Sequence, residues 1–187
     1  MQSSLSLLKT ERFLPLLLTK VSGVFNDNFF KNALVFGLLY KVFDVNGVDP
    51  ALLITATAGL LILPFFLFSA LAGQIADKYQ KETVIQNLKL AEIAIASLAI
   101  IGIFTQSVPI LLLALFLFGT QSSFLNPCKY AILPQHLTED ELVAGNGLLS
   151  AGTFLSILAG TIAGGLIVTI PTFGPYIIMG GMLLTAI

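Results

Sequence analysis

The residues of this chain that could do chemistry concentrate in one short run: Lys20-Val21-Ser22-Gly23-Val24-Phe25-Asn26-Asp27-Asn28-Phe29-Phe30-Lys31-Asn32. Asp27 falls near the middle of an apolar stretch long enough to cross a bilayer. An aspartate at the centre of a membrane helix costs about 2.5–3.5 kcal/mol, so something must compensate it. Lys31 follows at i+4 on the same helical face, which makes an intrahelical ion pair available. Asn28 and Asn32 are also four apart, and Asn26 lies on another face. A helix with this face is expected to meet a wet cavity or a polar neighbour rather than lipid. Two readings stay open. The polar residues glue a bundle together, or Asp27 belongs to a substrate or coupling-ion site. Lys20 is expected to snorkel to the near interface.

Other polar residues read more plainly. Lys89 and Glu92 are spaced i, i+3 and predict an ion pair in the first half of their helix. His136 stands beside Glu139, Asp140 and Glu141 and reads as a solvated loop residue, since a metal site needs several ligands. The sequence has no glycine-rich phosphate loop, no Gly-x-Ser-x-Gly elbow and no zinc-type spacing. No enzyme, metal or cofactor is expected.

The elements that must position these residues are apolar helices. Of 187 residues, 56% are hydrophobic and 10% charged, with a mean hydropathy of +0.95. A water-soluble surface needs more charge than that, so the main solvent is lipid. The net charge of −1 and the absence of a basic cluster argue against nucleic acid. Cys128 is the single cysteine, which excludes an internal disulfide. No cleavable signal peptide is apparent. About six membrane helices are expected, over residues 13–40, 51–72, 84–104, 108–125, 142–169 and 176–187. The sixth stops at Ile187 while still apolar, which suggests a fragment or a truncated gene. Pro64 should kink the second helix. Lys9, Arg12, Lys78, Lys81 and Lys129 fall on one side in this scheme and Lys41 alone on the other, which predicts a cytoplasmic N-terminus.

Between the second and third helices stands Gly73-Gln74-Ile75-Ala76-Asp77-Lys78-Tyr79-Gln80-Lys81-Glu82. This resembles the loop signature of the major facilitator superfamily, with Gln80 and Glu82 departing from its usual glycine and basic residue. The resemblance implies a conformational latch made by Gly73, Asp77, Lys78 and Lys81, with Gly73 allowing close helix approach. It also implies an all-α membrane protein, this chain being its N-terminal six-helix bundle.

Three segments are similar to the bacterial lysophospholipid transporters of that superfamily. They are Phe25-Asn26-Asp27-Asn28 with Asn32-Ala33-Leu34-Val35-Phe36, the Gly73–Asp77 run, and Asn126-Pro127-Cys128-Lys129-Tyr130-Ala131-Ile132-Leu133 with Leu142–Leu148. The resemblance implies transport of lysophospholipids, such as lysophosphatidylethanolamine, across the bacterial inner membrane, with an acyltransferase as partner or fused domain. It makes Asp27, Asn28, Lys31 and Lys129 candidates for contact with the head group, and Phe25, Phe29 and Phe30 candidate wall residues for the acyl chain. Lys129 reads equally as a basic anchor at the end of the fourth helix. Two alternatives remain: a transporter of the same superfamily for another small solute, or the membrane domain of a larger lipid-remodelling acyltransferase. The missing six-helix half would supply the second wall of the cavity.

Overall fold

The structure is a computed structural model and describes residues 4–40, 42–43, 45, 47–168 and 170. A short 3-10 helix, Ser4–Lys9, precedes five α-helices: α1 Leu14–Leu39, α2 Pro50–Lys78, α3 Lys81–Phe104, α4 Val108–His136 and α5 Glu139–Ile167. At 1.5 Å per residue these are roughly 36–44 Å long, more than the thickness of a hydrocarbon core. Four of them, α2 to α5, are long and apolar enough to cross a membrane. The charged and amide residues from Lys20 to Asn32 set α1 apart. The sixth helix expected over 176–187 lies outside the described residues, as does Lys41.

Local chemistry sets the helix boundaries. Asp49 caps α2, its carboxylate accepting from the Ala51 N–H at 2.9 Å, with Pro50 at the first helical position. Thr138 and Glu141 form a reciprocal capping box at the start of α5. The α3–α4 hairpin turns on Gln106, whose φ of 53° is left-handed. Ser107 N–H bonds back to Gly102 and Gln106 N–H to Ile103, closing the helix end with a non-glycine residue where glycine is usual.

The connections at the N-terminal end are shorter than the sequence suggests. Only Tyr79 and Gln80 separate α2 from α3, and only Leu137 and Thr138 separate α4 from α5. The fourth helix was expected to stop at residue 125, before Pro127. Instead α4 continues through Pro127 and Pro134 to His136. A proline inside a membrane helix is tolerated when neighbours satisfy the carbonyl it frees. Lys129 and His136 are therefore helical residues, not loop residues.

The helices pack as two groups. α1 lies along α5, and α4 lies between α2 and α3. Glycines set both seams. A Cβ added to Gly160 would stand 2.6 Å from the Phe25 carbonyl oxygen, and one added to Gly164 would strike the Phe29 carbonyl, so α1 and α5 touch backbone to backbone. Where α4 crosses α2, a Cβ on Gly119 would lie 2.5 Å from Leu61 O and 3.2 Å from Pro64. The larger apolar core joins Phe29, Phe30, Leu34 and Leu38 of α1 to Leu111, Leu115 and Phe118 of α4. Phe29 and Phe30 are thus core residues rather than exposed walls. A smaller core at the N-terminal end joins Leu7 and Phe13 to Leu133, Leu137 and Leu149.

Outward faces are apolar. Phe66 on α2 is 80% exposed and Phe154 on α5 is 72% exposed. Such a surface is at home in hydrocarbon or against further apolar helices. Gly160→Ala should lower stability by about 1–3 kcal/mol through overpacking at the α1–α5 contact. Gly147→Ala, where an added Cβ meets nothing within 4 Å, should leave it unchanged. Thermal unfolding of the detergent-solubilised protein compares the two.

Candidate functional site

The polar residues of three helices meet at the same depth. Asp27, Glu92, Gln121 and Ser122 each lie close to the midpoint of their own helix. Ser122 Oγ of α4 donates to Asp27 Oδ2 at 2.5 Å. Glu92 of α3 is completely buried and gathers three donors. Lys89 Nζ bonds its Oε2 at 2.7 Å, Gln121 Nε2 bonds the same oxygen at 3.1 Å, and Asn26 Nδ2 approaches Oε1 at 3.5 Å. One carboxylate therefore ties α1, α3 and α4 together in the low-dielectric centre, where unpaired charge is most costly.

Three lysines lie on the side of this layer nearer the N-terminal end. Lys20, seven residues before Asp27, sits about 10 Å away along the helix axis. It is buried and packs over the Tyr130 ring, 4.5 Å from its centre, with Asn126 Oδ1 at 3.4 Å and Tyr130 Oη at 3.3 Å. Lys129 is 2% exposed and donates to the Thr19 carbonyl oxygen at 3.3 Å. Lys89 completes the set. A Cβ built on Gly23 would lie 3.9 Å from Lys89 Nζ and 4.0 Å from Lys129 Nζ, so the bare backbone of Gly23 is where the two ammonium groups converge. Lys20, Lys89, Asp27 and Glu92 all lie near enough to Lys129 to act on it electrostatically, and Glu92, Lys129 and Lys89 act likewise on Asp27. Three cations against two carboxylates leave the cluster one positive charge in excess.

A cleft of about 270 Å³ opens at the N-terminal end, lined by residues including Arg12, Thr19, Glu82, Gln86 and His136. Thr19 links its floor to Lys129. Arg12 closes one side, bonding Glu141 at 2.7 Å and the His136 carbonyl oxygen at 3.2 Å, so the start of α1 is fastened to the α4–α5 junction. At the opposite end a second cleft, about 570 Å³, is lined mainly by apolar residues such as Val45, Leu53, Val108 and Leu112.

Several sequence expectations change here. Asp27 does not pair with Lys31: its described partner is Ser122, and no ion pair joins the two among the described residues. The Asp27 carboxylate takes the Ser122 hydroxyl of the facing α4, while Lys31 is half-buried. Asp27 is 8% exposed and lines neither of these two clefts. Asn28 and Asn32 turn elsewhere. Asn28 bonds the Val24 carbonyl, and Asn32 reaches Thr161 of α5 at 3.1 Å. Lys20 does not snorkel outward, because the extended α4 offers it Asn126 and Tyr130. Lys129 is not a surface anchor. Of the four head-group candidates the fold brings Asp27 and Lys129 into one cluster, and sets Asn28 and Lys31 apart from it.

The expected Lys89–Glu92 pair forms, but at mid-depth and cross-linking three helices, not at a helix start. Gln121, Ser122 and Gly23 were not anticipated. The polar triplet Gln121-Ser122-Ser123 in an apolar helix was the available signal. Gly73 does not mediate close approach, since an added Cβ meets nothing within 4 Å. Asp77 and Lys78 are exposed at the end of α2, with Lys81 at the start of α3.

A bundle of long apolar helices with charges at mid-depth is a membrane-spanning architecture with a polar interior. The sequence profile of the Major Facilitator Superfamily matches residues 16–187, and the chain belongs to that family as a multi-pass membrane protein. Its curated relatives include the Lysophospholipid transporter LplT of Photorhabdus laumondii, 32% identical over 161 residues, or 81% of this chain and 37% of the relative. The protein of the same name from Pectobacterium carotovorum is 32% identical over 166 residues, covering 85% and 38%. That from Salmonella typhimurium is 30% identical over 154 residues, covering 81% and 36%. The chain spans little more than a third of the length of these relatives. No solved structure matches it.

Removing one partner of a buried ion pair strands the other charge, at a cost of about 3–5 kcal/mol. Lys89→Met should destabilise the bundle by about that much, and Lys89→Met with Glu92→Gln should recover most of the loss. Thermal unfolding of both variants in one detergent tests the pair.

Proposed function

We propose that the complete protein carries lysophospholipids, such as lysophosphatidylethanolamine, across the bacterial inner membrane to the cytoplasmic leaflet. The observation that carries this reading is the cluster of five charges between α1, α3 and α4, four of them buried: two carboxylates at mid-depth and three lysines toward the N-terminal end. A membrane bundle does not keep that much charge in its interior without use or compensation. Lysophospholipid head groups combine a phosphate with, in the ethanolamine and choline forms, a cationic nitrogen. A carboxylate can meet the ammonium and lysine can meet the phosphate as a point charge. The names of the relatives point to the same cargo.

In this reading the chain forms one half of the transporter, with its N-terminus in the cytoplasm and Lys9, Arg12, Lys78 and Lys81 at the cytoplasmic end. Asp27 and Lys129 contact the head group once the halves rock apart, and apolar surface accepts the single acyl chain. Asn28 and Lys31 take a part only if α1 rotates during the cycle. Gly73, Asp77, Lys78 and Lys81 act as a latch against the rest of the protein, for which the exposure of Asp77 and Lys78 leaves room. An acyltransferase, separate or fused, consumes the delivered lipid.

Asp27→Ala in the full-length protein should abolish inward lysophospholipid uptake into proteoliposomes while leaving the protein folded. Uptake at the wild-type rate would remove Asp27 from the mechanism. Competition by soluble metabolites, but not by lysophospholipid, would reassign the cargo.

A further inference from the structure

We propose that Glu92 is an internal counter-ion which the anionic group of the cargo displaces from Lys89, making Glu92 the residue that selects a zwitterionic phosphate compound over a bare phosphate. This deepens the proposed function and rests on it for the identity of the cargo, though not for the chemistry of the cluster.

The argument starts from charge. Two ammonium groups, Lys89 and Lys129, converge on the backbone of Gly23. Lys89 has a carboxylate partner at 2.7 Å. Lys129 is as buried as a core leucine and has only a carbonyl oxygen at 3.3 Å, with no ion pair among the described residues. A buried cation in that condition has no carboxylate in direct contact, Asp27 and Glu92 acting on it only from farther off. The position that a Cβ on Gly23 would take is in van der Waals contact with both nitrogens, and parting of α1 from α4 would open it to a larger group. A phosphate oxygen there accepts from both lysines and gives Lys129 the anion it lacks.

The second observation concerns what Glu92 would lose and gain. When a phosphate takes Lys89, the Glu92 carboxylate keeps Gln121 and Asn26 but loses its cation. Bare phosphate leaves that negative charge buried and uncompensated, which opposes binding. A phosphate compound that also carries an ammonium offers a replacement. Asn26 Oδ1 beside Glu92 is buried with no hydrogen-bond partner among the described residues, an acceptor ready for that same ammonium. One internal ion pair is thereby exchanged for two with the ligand. The zwitterion fits and the simple anion does not.

The test uses the full-length transporter in detergent with two soluble probes, inorganic phosphate and phosphoethanolamine, read by calorimetry, together with lysophosphatidylethanolamine uptake in proteoliposomes. The wild-type protein should bind phosphoethanolamine at least tenfold more tightly than inorganic phosphate. Glu92→Gln keeps the size of the side chain and an oxygen acceptor for Gln121 while freeing Lys89. It should tighten inorganic phosphate about tenfold and erase the preference. Unchanged affinities for both probes in a folded Glu92→Gln protein, whatever its melting temperature, would overturn the proposal, because a purely structural Glu92 moves stability and not selectivity. If that variant does not fold, the double variant Lys89→Met with Glu92→Gln, which leaves neither partner of the pair stranded, decides: loss of binding of both probes upholds the site, and wild-type binding refutes it. Uptake separates the two sources of phosphate. Probe binding as expected with no lipid uptake would fail the lysophospholipid reading and keep the site, whereas lipid uptake with no probe selectivity would fail the site alone.

Discussion

The carboxylate of Glu92 is the point on which the interior of this bundle turns. A charge at mid-depth in an apolar bundle has no water to solvate it, and the energy of leaving it alone exceeds what a small bundle has to spare. Lys89, Gln121 and Asn26 answer that demand from three helices. They fix the rotations of α1, α3 and α4 relative to one another more tightly than apolar contacts could, because apolar contacts tolerate sliding while a hydrogen bond to a buried charge does not. Asp27 and Ser122 repeat the device one contact away. The rest of the bundle is arranged so that these groups can meet.

Glycine is the other half of the arrangement. Gly160 and Gly164 bring α5 into backbone contact with α1, and Gly119 does the same for α4 on α2. Lipid offers no hydrophobic drive for helices to associate, so close packing and interior polar contacts must hold them. In this chain the two divide the work by place: small residues at the α1–α5 and α2–α4 seams, charges where α1, α3 and α4 converge. The α1–α4 contact is slight by comparison with α1–α5. It is also where Asp27, Lys20 and Lys129 reach across.

The two ends differ in the same sense. At the N-terminal end, Arg12 fastens α1 to Glu141 and to the end of α4 across a cleft whose lining includes several charged residues. At the other end the cleft is mainly apolar. On the first side Thr19 stands between the cleft and the lysines, its carbonyl oxygen holding Lys129.

Much of this was legible in the sequence, and the reason is chemical. The apolar runs, the burial of Asp27, the i, i+3 relation of Lys89 and Glu92 and the family motifs follow from residue type and spacing, which the chain carries along its length. The partner of Asp27 was not legible. Lys31 is its nearest opposite charge in sequence, but Ser122 meets it in space, because which residue of a neighbouring helix stands opposite is set by how the helices pack and not by spacing along one chain. Lys129 was misplaced because Pro127 reads as a helix end in water, whereas packed neighbours in a membrane bundle let the helix run on. Residue types and spacing determined that charge would lie within the bundle. Only the tertiary structure, by setting the depth and rotation of each helix, decided which charges stand together.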